Sequence, residues 1–96
     1  MHAVVRSYSG TGAKELFDLL TQRKADVEAL IRGVTGFVAY TLVQTADGGI
    51  SVTVCQDKAG ADESLQRARE WIQANAAGTG VGAPTVSEGS VILQLS

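Results

Sequence analysis

Two runs rich in β-branched and aromatic residues, 37–43 and 50–55, flank a short segment holding Asp47-Gly48-Gly49. Asp and Gly supply the unusual backbone angles of a tight connection, so these runs predict an antiparallel β-hairpin. In the second run Ile50, Val52 and Val54 alternate with Ser51, Thr53 and Cys55, giving that strand one apolar face and one small or polar face. A lone hairpin is barely stable in water, so the flanking segments must supply its cover.

Upstream, Leu16, Leu20, Val27, Leu30 and Ile31 recur at helical spacing, with Phe17 and Leu19 widening the stripe and Arg23, Lys24, Asp26 and Glu28 on the wet side. This predicts one amphipathic helix, capped by Thr11, kinked near residues 24–26 and ended by Gly33. Downstream, Leu65, Ala68, Ile72 and Ala76 lie opposite Gln66, Arg67, Arg69 and Glu70, a second helix of about four turns capped by Asp57 or Asp62. Residues 2–8 read as a first strand, closed by Ser9-Gly10-Thr11-Gly12. Residues 78–84, with three glycines and the only proline, read as a loop. The last strand is placed at residues 90–95, where Val91, Leu93 and Leu95 alternate with Ser90, Ile92 and Gln94, after an irregular start at Glu88-Gly89.

The order is therefore βαββαβ, an α+β, ferredoxin-like fold: a four-stranded antiparallel sheet with two helices on one face. At 96 residues the chain suits one core, a single domain over residues 1–96. Apolar residues fall on both parities of two strands: Phe37 and Val43 against Tyr40 and Leu42, and Ile92 against Leu93. The uncovered sheet face is then too apolar for water, which predicts a homodimer with two sheets packed face to face.

Composition excludes several functions. No apolar run approaches the ~20 residues of a membrane span, and the opening Met1-His2-Ala3-Val4-Val5-Arg6 lacks the layout of a secretory signal, so a cytoplasmic location is expected. One cysteine makes neither an internal disulfide nor a thiolate cluster. Eight basic against ten acidic residues, scattered along a chain of net charge −2, leave no nucleic-acid footprint. Neither Asp62-Glu63 nor Glu88 has a companion at metal-ligand spacing, and Gly10-x-Gly12 lacks the remainder of a phosphate loop. His2 has no sequence-level partner to orient it as a base, and Cys55 reads as a small buried hydrophobe. A small-molecule pocket is what remains.

The stretches Gly36-Phe37-Val38-Ala39-Tyr40, Asp47-Gly48-Gly49-Ile50-Ser51-Val52 and Ala68-Arg69-Glu70-Trp71-Ile72 resemble the dimeric α/β barrel superfamily. Within it, the chain resembles the small antibiotic-biosynthesis-monooxygenase-like domains over essentially its whole length. The resemblance implies a homodimer with a pocket between sheet and helices in each subunit. It also implies a chemistry drawn from cofactor-independent oxygenation of quinol-like aromatics, haem degradation, or neither. Trp71 matches the haem-degrading branch by position, but the first strand has no asparagine and the only histidine is His2, which disfavours haem. Pocket candidates of suitable type are Arg6, Tyr8, Tyr40, Trp71 and Asn75. In an oxygenase Trp71 and Tyr40 would shape the pocket, Arg6 or Asn75 would orient an aromatic substrate, and no cofactor would be held. As plain structural residues, Trp71 would cover the core edge, Tyr8 and Tyr40 would be half-buried in the sheet, and Asn75 would be solvated. A non-catalytic ligand-binding or interaction module on the same fold stays open beside the enzyme.

Overall fold

A computed structural model describes residues 1–95. The order is β1 (His2–Ser9), α1 (Ala13–Gln22), α2 (Lys24–Arg32), β2 (Phe37–Thr45), β3 (Gly48–Cys55), α3 (Lys58–Asn75), a 3₁₀ turn (Ala77–Thr79) and β4 (Thr85–Ser90). All strand pairs are antiparallel and the sheet order is β2-β3-β1-β4, the ferredoxin-like arrangement.

Strand alternation decides what faces the helices. Val4, Arg6 and Tyr8 of β1 are buried, and the register sets them opposite Thr53, Ser51 and Gly49 of β3. The small and polar row of β3 therefore looks at the helical layer, while Ile50, Val52 and Val54 look away from it. The reason is volume: Leu16, Phe17, Leu20, Val27 and Ile31 fill the space from the helix side, so the strand beneath them must be slim. Gly49 is the extreme case, since a Cβ there would run into the Phe17 ring.

In β2 a bulge between Phe37 and Ala39 shifts the register. Phe37 consequently shares the helix-facing side with Tyr40 and Leu42, all three packed against the core, instead of lying on the opposite face with Val43. The outer face still carries Ala3, Val5, Ala39, Val43, Ile50, Val52 and Val54.

Four expectations need correction. The first helical segment is two helices, so three helices accompany the sheet. The break falls at Arg23 (φ −110°, ψ 30°), whose N–H is shared between the carbonyls of Leu19 and Leu20 at 2.9 and 3.2 Å. Thr11 does not cap α1. The cap position is Gly12 at φ 80°, where a side chain would strike the backbone of Thr79 and Val81, so close approach of the later loop requires glycine. Asp57 does cap α3, its carboxylate accepting from the Gly60 N–H at 3.1 Å, and that helix runs 18 residues, five turns rather than four.

The fourth correction concerns the last strand. β4 is Thr85–Ser90, paired along β1 from Ser7 to His2, and only the Val91 N–H continues the ladder, to the Met1 carbonyl at 3.0 Å. β1 ends there, so Ile92, Leu93 and Leu95 have no strand beside them and are 99%, 73% and 83% exposed. The apolar pattern pointed to residues 91–95, but backbone partners were available to 85–90.

Candidate functional site

The layer between sheet and helices contains three neighbouring spaces that share walls. A groove of about 360 Å³ opens beside β2, with Leu20, Val27 and Ile31 facing Phe37, Tyr40 and Leu42, and Lys24, Glu28, Arg32 and Gln44 at its rim. A fissure of about 30 Å³ shares Leu20, Val27, Ile31, Tyr40 and Leu42 with that groove and is also bordered by Arg6, Tyr8, Ser51 and Trp71. A cleft of about 350 Å³ lies on the β4 side, where Arg6 and Tyr8 meet Arg69, Ile72, Val81 and Val86. Both larger spaces have the size of small-molecule sites.

Four of the sequence candidates thus border one fissure: Arg6, Tyr8, Tyr40 and Trp71. Asn75 is not with them. It is exposed at the end of α3, donates to the Trp71 carbonyl at 2.9 Å and accepts from Arg23 at 3.5 Å. Trp71 is held from outside by the Arg23 guanidinium, 5.5 Å from its ring centre, and Tyr8 packs on Phe17 with ring centres 5.9 Å apart.

Sequence reasoning passed over Ser51 and Thr53. Their hydroxyls are buried and have no hydrogen-bond partner among the described residues. The signal was their place on the polar side of an alternating strand, but which side faces inward emerges only from the pairing of β3 with β1. His2 does have a partner, which the fold supplies: its Nε2 lies 2.8 Å from Glu88 Oε1, and Lys58 Nζ lies 3.6 Å from the same oxygen. Cys55, opposite His2 in the register, is fully buried; desolvation first, then Asp57 and Glu63, push its thiol pKa up and away from nucleophilic chemistry.

Tyr40 has the informative electrostatics. Desolvation raises its pKa above the usual tyrosine value, with Tyr8 adding to the rise and the Arg6 guanidinium and Ser51 hydroxyl acting against it. The phenol therefore stays a neutral donor through neutral pH. Its raised native pKa means the folded state holds this proton more tightly than the unfolded chain does. The associated stability is complete below pH ~10 and is lost as pH climbs through the native pKa. An ultraviolet difference titration is expected to show one tyrosine ionising above the ordinary range. Tyr40→Phe should remove that step and flatten the alkaline loss of stability; a late step left unchanged in this variant would overturn the assignment to Tyr40.

Among the described residues no group of three or more His, Cys, Asp or Glu side chains is placed to hold a metal ion, and no helix is long and apolar enough to cross a membrane.

No protein-family model matches the chain, and no curated protein does. Solved structures do. The NE2512 protein of unknown function from Nitrosomonas europaea superposes with TM-score 0.68 at 19% identity, over 99% of this chain and 91% of that one. A monooxygenase from the gene ActVA-Orf6 of Streptomyces coelicolor, in complex with nanaomycin D, gives 0.66 at 19% identity over 99% and 89%. A dimeric ferredoxin-like protein from an uncultured marine organism gives 0.64 at 10% identity over 99% and 95%. A cofactor-independent oxygenase and a haem-degrading protein share the fold at 19% and 20% identity. The chain shares the fold of these proteins, the ferredoxin-like arrangement that the sequence predicted.

Proposed function

We propose that this chain is a single-domain, homodimeric, cytoplasmic oxygenase that acts without a cofactor on an aromatic, quinol-like molecule bound between sheet and helices. The observation carrying this reading is the convergence of Arg6, Tyr8, Tyr40 and Trp71 on one fissure that shares walls with two larger spaces. An electron-rich phenol needs little from the protein to react with oxygen. Once deprotonated, it supplies electrons to O₂ itself; one oxygen atom enters the substrate carbon and the other leaves as water. The protein's part is to orient, to exclude water and to stabilise developing charge. Tyr40, kept neutral by burial, donates to the substrate oxygen, Trp71 walls the ring, and Arg6 rather than the exposed Asn75 orients it.

Oxygen uptake with a panel of hydroquinones tests this. Wild type is expected to turn over at least one, and Tyr40→Phe and Trp71→Ala to lose roughly 10–100-fold in kcat/KM, the worth of one hydrogen bond to a charged group or one packed wall. Absence of uptake by wild type, or uptake unchanged in both variants, overturns the enzyme reading.

One observation favours the second reading, a non-catalytic ligand-binding or interaction module: the fissure that Arg6, Tyr8, Tyr40 and Trp71 all border holds only about 30 Å³, room for water but not for an aromatic ring. Ligand binding without product would support it.

A further inference from the structure

Arg6 is 4% exposed, on the helix-facing side of β1 between Val4 and Tyr8. A guanidinium keeps its charge inside a protein, and a buried charge is tolerated when an opposite charge meets it. No carboxylate among the described residues comes within 4.0 Å of Arg6. The acids that form ion pairs, Asp26, Glu28, Asp62, Glu63 and Glu88, are engaged with Arg23, Arg32, Lys58, Arg67 and His2. Beside it stand the Tyr40 phenol and the orphaned Ser51 hydroxyl, both neutral.

The cleft that Arg6 borders carries a second arginine, Arg69, and no aspartate or glutamate, in a chain with ten acidic and eight basic residues. Its other walls include Ile72, Val81 and Val86. The groove beside β2 is of similar size but differs in kind: its arginine, Arg32, is exposed and already paired with Glu28.

The geometry points to the β4-side cleft as a binding site for a small organic anion with an apolar body. Its anionic oxygen, from a carboxylate or a phenolate, meets Arg6 with Tyr8 as a second donor, and its hydrocarbon part lies against Ile72, Val81 and Val86. This rests on the reading above only in taking the layer between sheet and helices as a small-molecule site with Arg6 as the orienting residue; it places the ligand on the Arg6 and Tyr8 side, in a cleft that Tyr40 and Trp71 do not line. Arg69, at the exposed side of the cleft, adds attraction without deciding the fit.

Calorimetric titration with 2-naphthoate, 4-nitrophenolate and the neutral 2-naphthamide tests it. At least one anion is expected to bind tenfold or more tightly than the amide, and comparison of the two anions tells carboxylate from phenolate. Arg6→Gln should remove that preference while leaving amide binding in place, and Arg6→Lys should retain part of it, since it keeps the charge but loses the fork. In thermal melts the anion should raise the Tm of wild type and not of Arg6→Gln, a result a purely structural arginine would not produce. Equal binding of anions and amide, or a preference that survives Arg6→Gln, removes the anion site and leaves the small-molecule reading standing. Absence of binding by all three probes removes both. If Arg6→Gln fails to fold, the acid-to-amide comparison on wild type and Arg6→Lys decides.

Discussion

Gly49→Ala is expected to cost the fold about 2–3 kcal/mol, although alanine is the better strand residue in general. The added methyl group has nowhere to go. Gly49 lies on the helix-facing side of β3 opposite Tyr8, and the site of its missing side chain is taken by the Phe17 ring. Phe17 is 2% exposed and is hemmed in by Tyr8, so it cannot swing aside without opening the core. For a domain of this length the loss corresponds to a fall in Tm of roughly 10–20 °C. The contact can be isolated by a double-mutant cycle in denaturant. Phe17→Leu alone should destabilise, but the pair Gly49→Ala with Phe17→Leu should be more stable than the sum of the single changes by about 1 kcal/mol or more. Strict additivity would mean that the ring does not occupy this socket.

The same socket explains why some of the fold was legible in the amino-acid sequence and some was not. The hairpin, the helical stripes and the βαββαβ order follow from local period and turn chemistry, which each segment carries by itself. Facing is a different matter. The alternation of Ser51, Thr53 and Cys55 with Ile50, Val52 and Val54 announces a two-faced strand, yet apolar residues normally turn inward, and here the slim row does. Only the bulk arriving from Leu16, Phe17 and Leu20 on the other layer settles that choice. β4 failed for a related reason. An edge strand held by backbone pairing with β1, every residue of it exposed, leaves little hydrophobic signal, whereas residues 91–95 carry a strong one and have no partner strand. At the site, side-chain type sufficed to nominate Arg6, Tyr8, Tyr40 and Trp71. The exclusion of Asn75 depends on the angular position of one residue at the end of α3, and although most of the ion pairs are local along a helix, that no carboxylate reaches Arg6 depends on how the helices are laid over β1.

Val52→Glu is expected to convert a dimer into a monomer while leaving the fold of each chain intact. Val52 sits near the middle of the sheet face that carries no helices, with Val5 beside it on β1 and Ile50 and Val54 two residues away on β3. Antiparallel sheets often wet one face, but such faces then alternate to polar residues; here Ala3, Val5, Ala39, Val43, Ile50 and Val52 make up most of the face's middle, with Thr41 on β2 and Ser7, Thr85 and Ser87 toward the β4 edge. A second copy offers a matching face of the same character, and a two-fold pairing buries both at once. Ile92, Leu93 and Leu95, exposed beyond the end of β1, add apolar area that a partner would also cover. If the sheet is the interface, a carboxylate at its centre is buried without a counter-charge in both subunits, worth about 3 kcal/mol or more and so at least 100-fold in dissociation constant. If the face is wet, the same substitution lies on the surface and shifts stability by no more than ~0.5 kcal/mol. Light scattering separates the cases: wild type should give twice the 10.0 kDa chain mass and Val52→Glu the single mass, with the variant's far-ultraviolet circular dichroism unchanged. A wild type that is monomeric at micromolar concentration, or a variant that stays dimeric, would place the interface elsewhere or remove it.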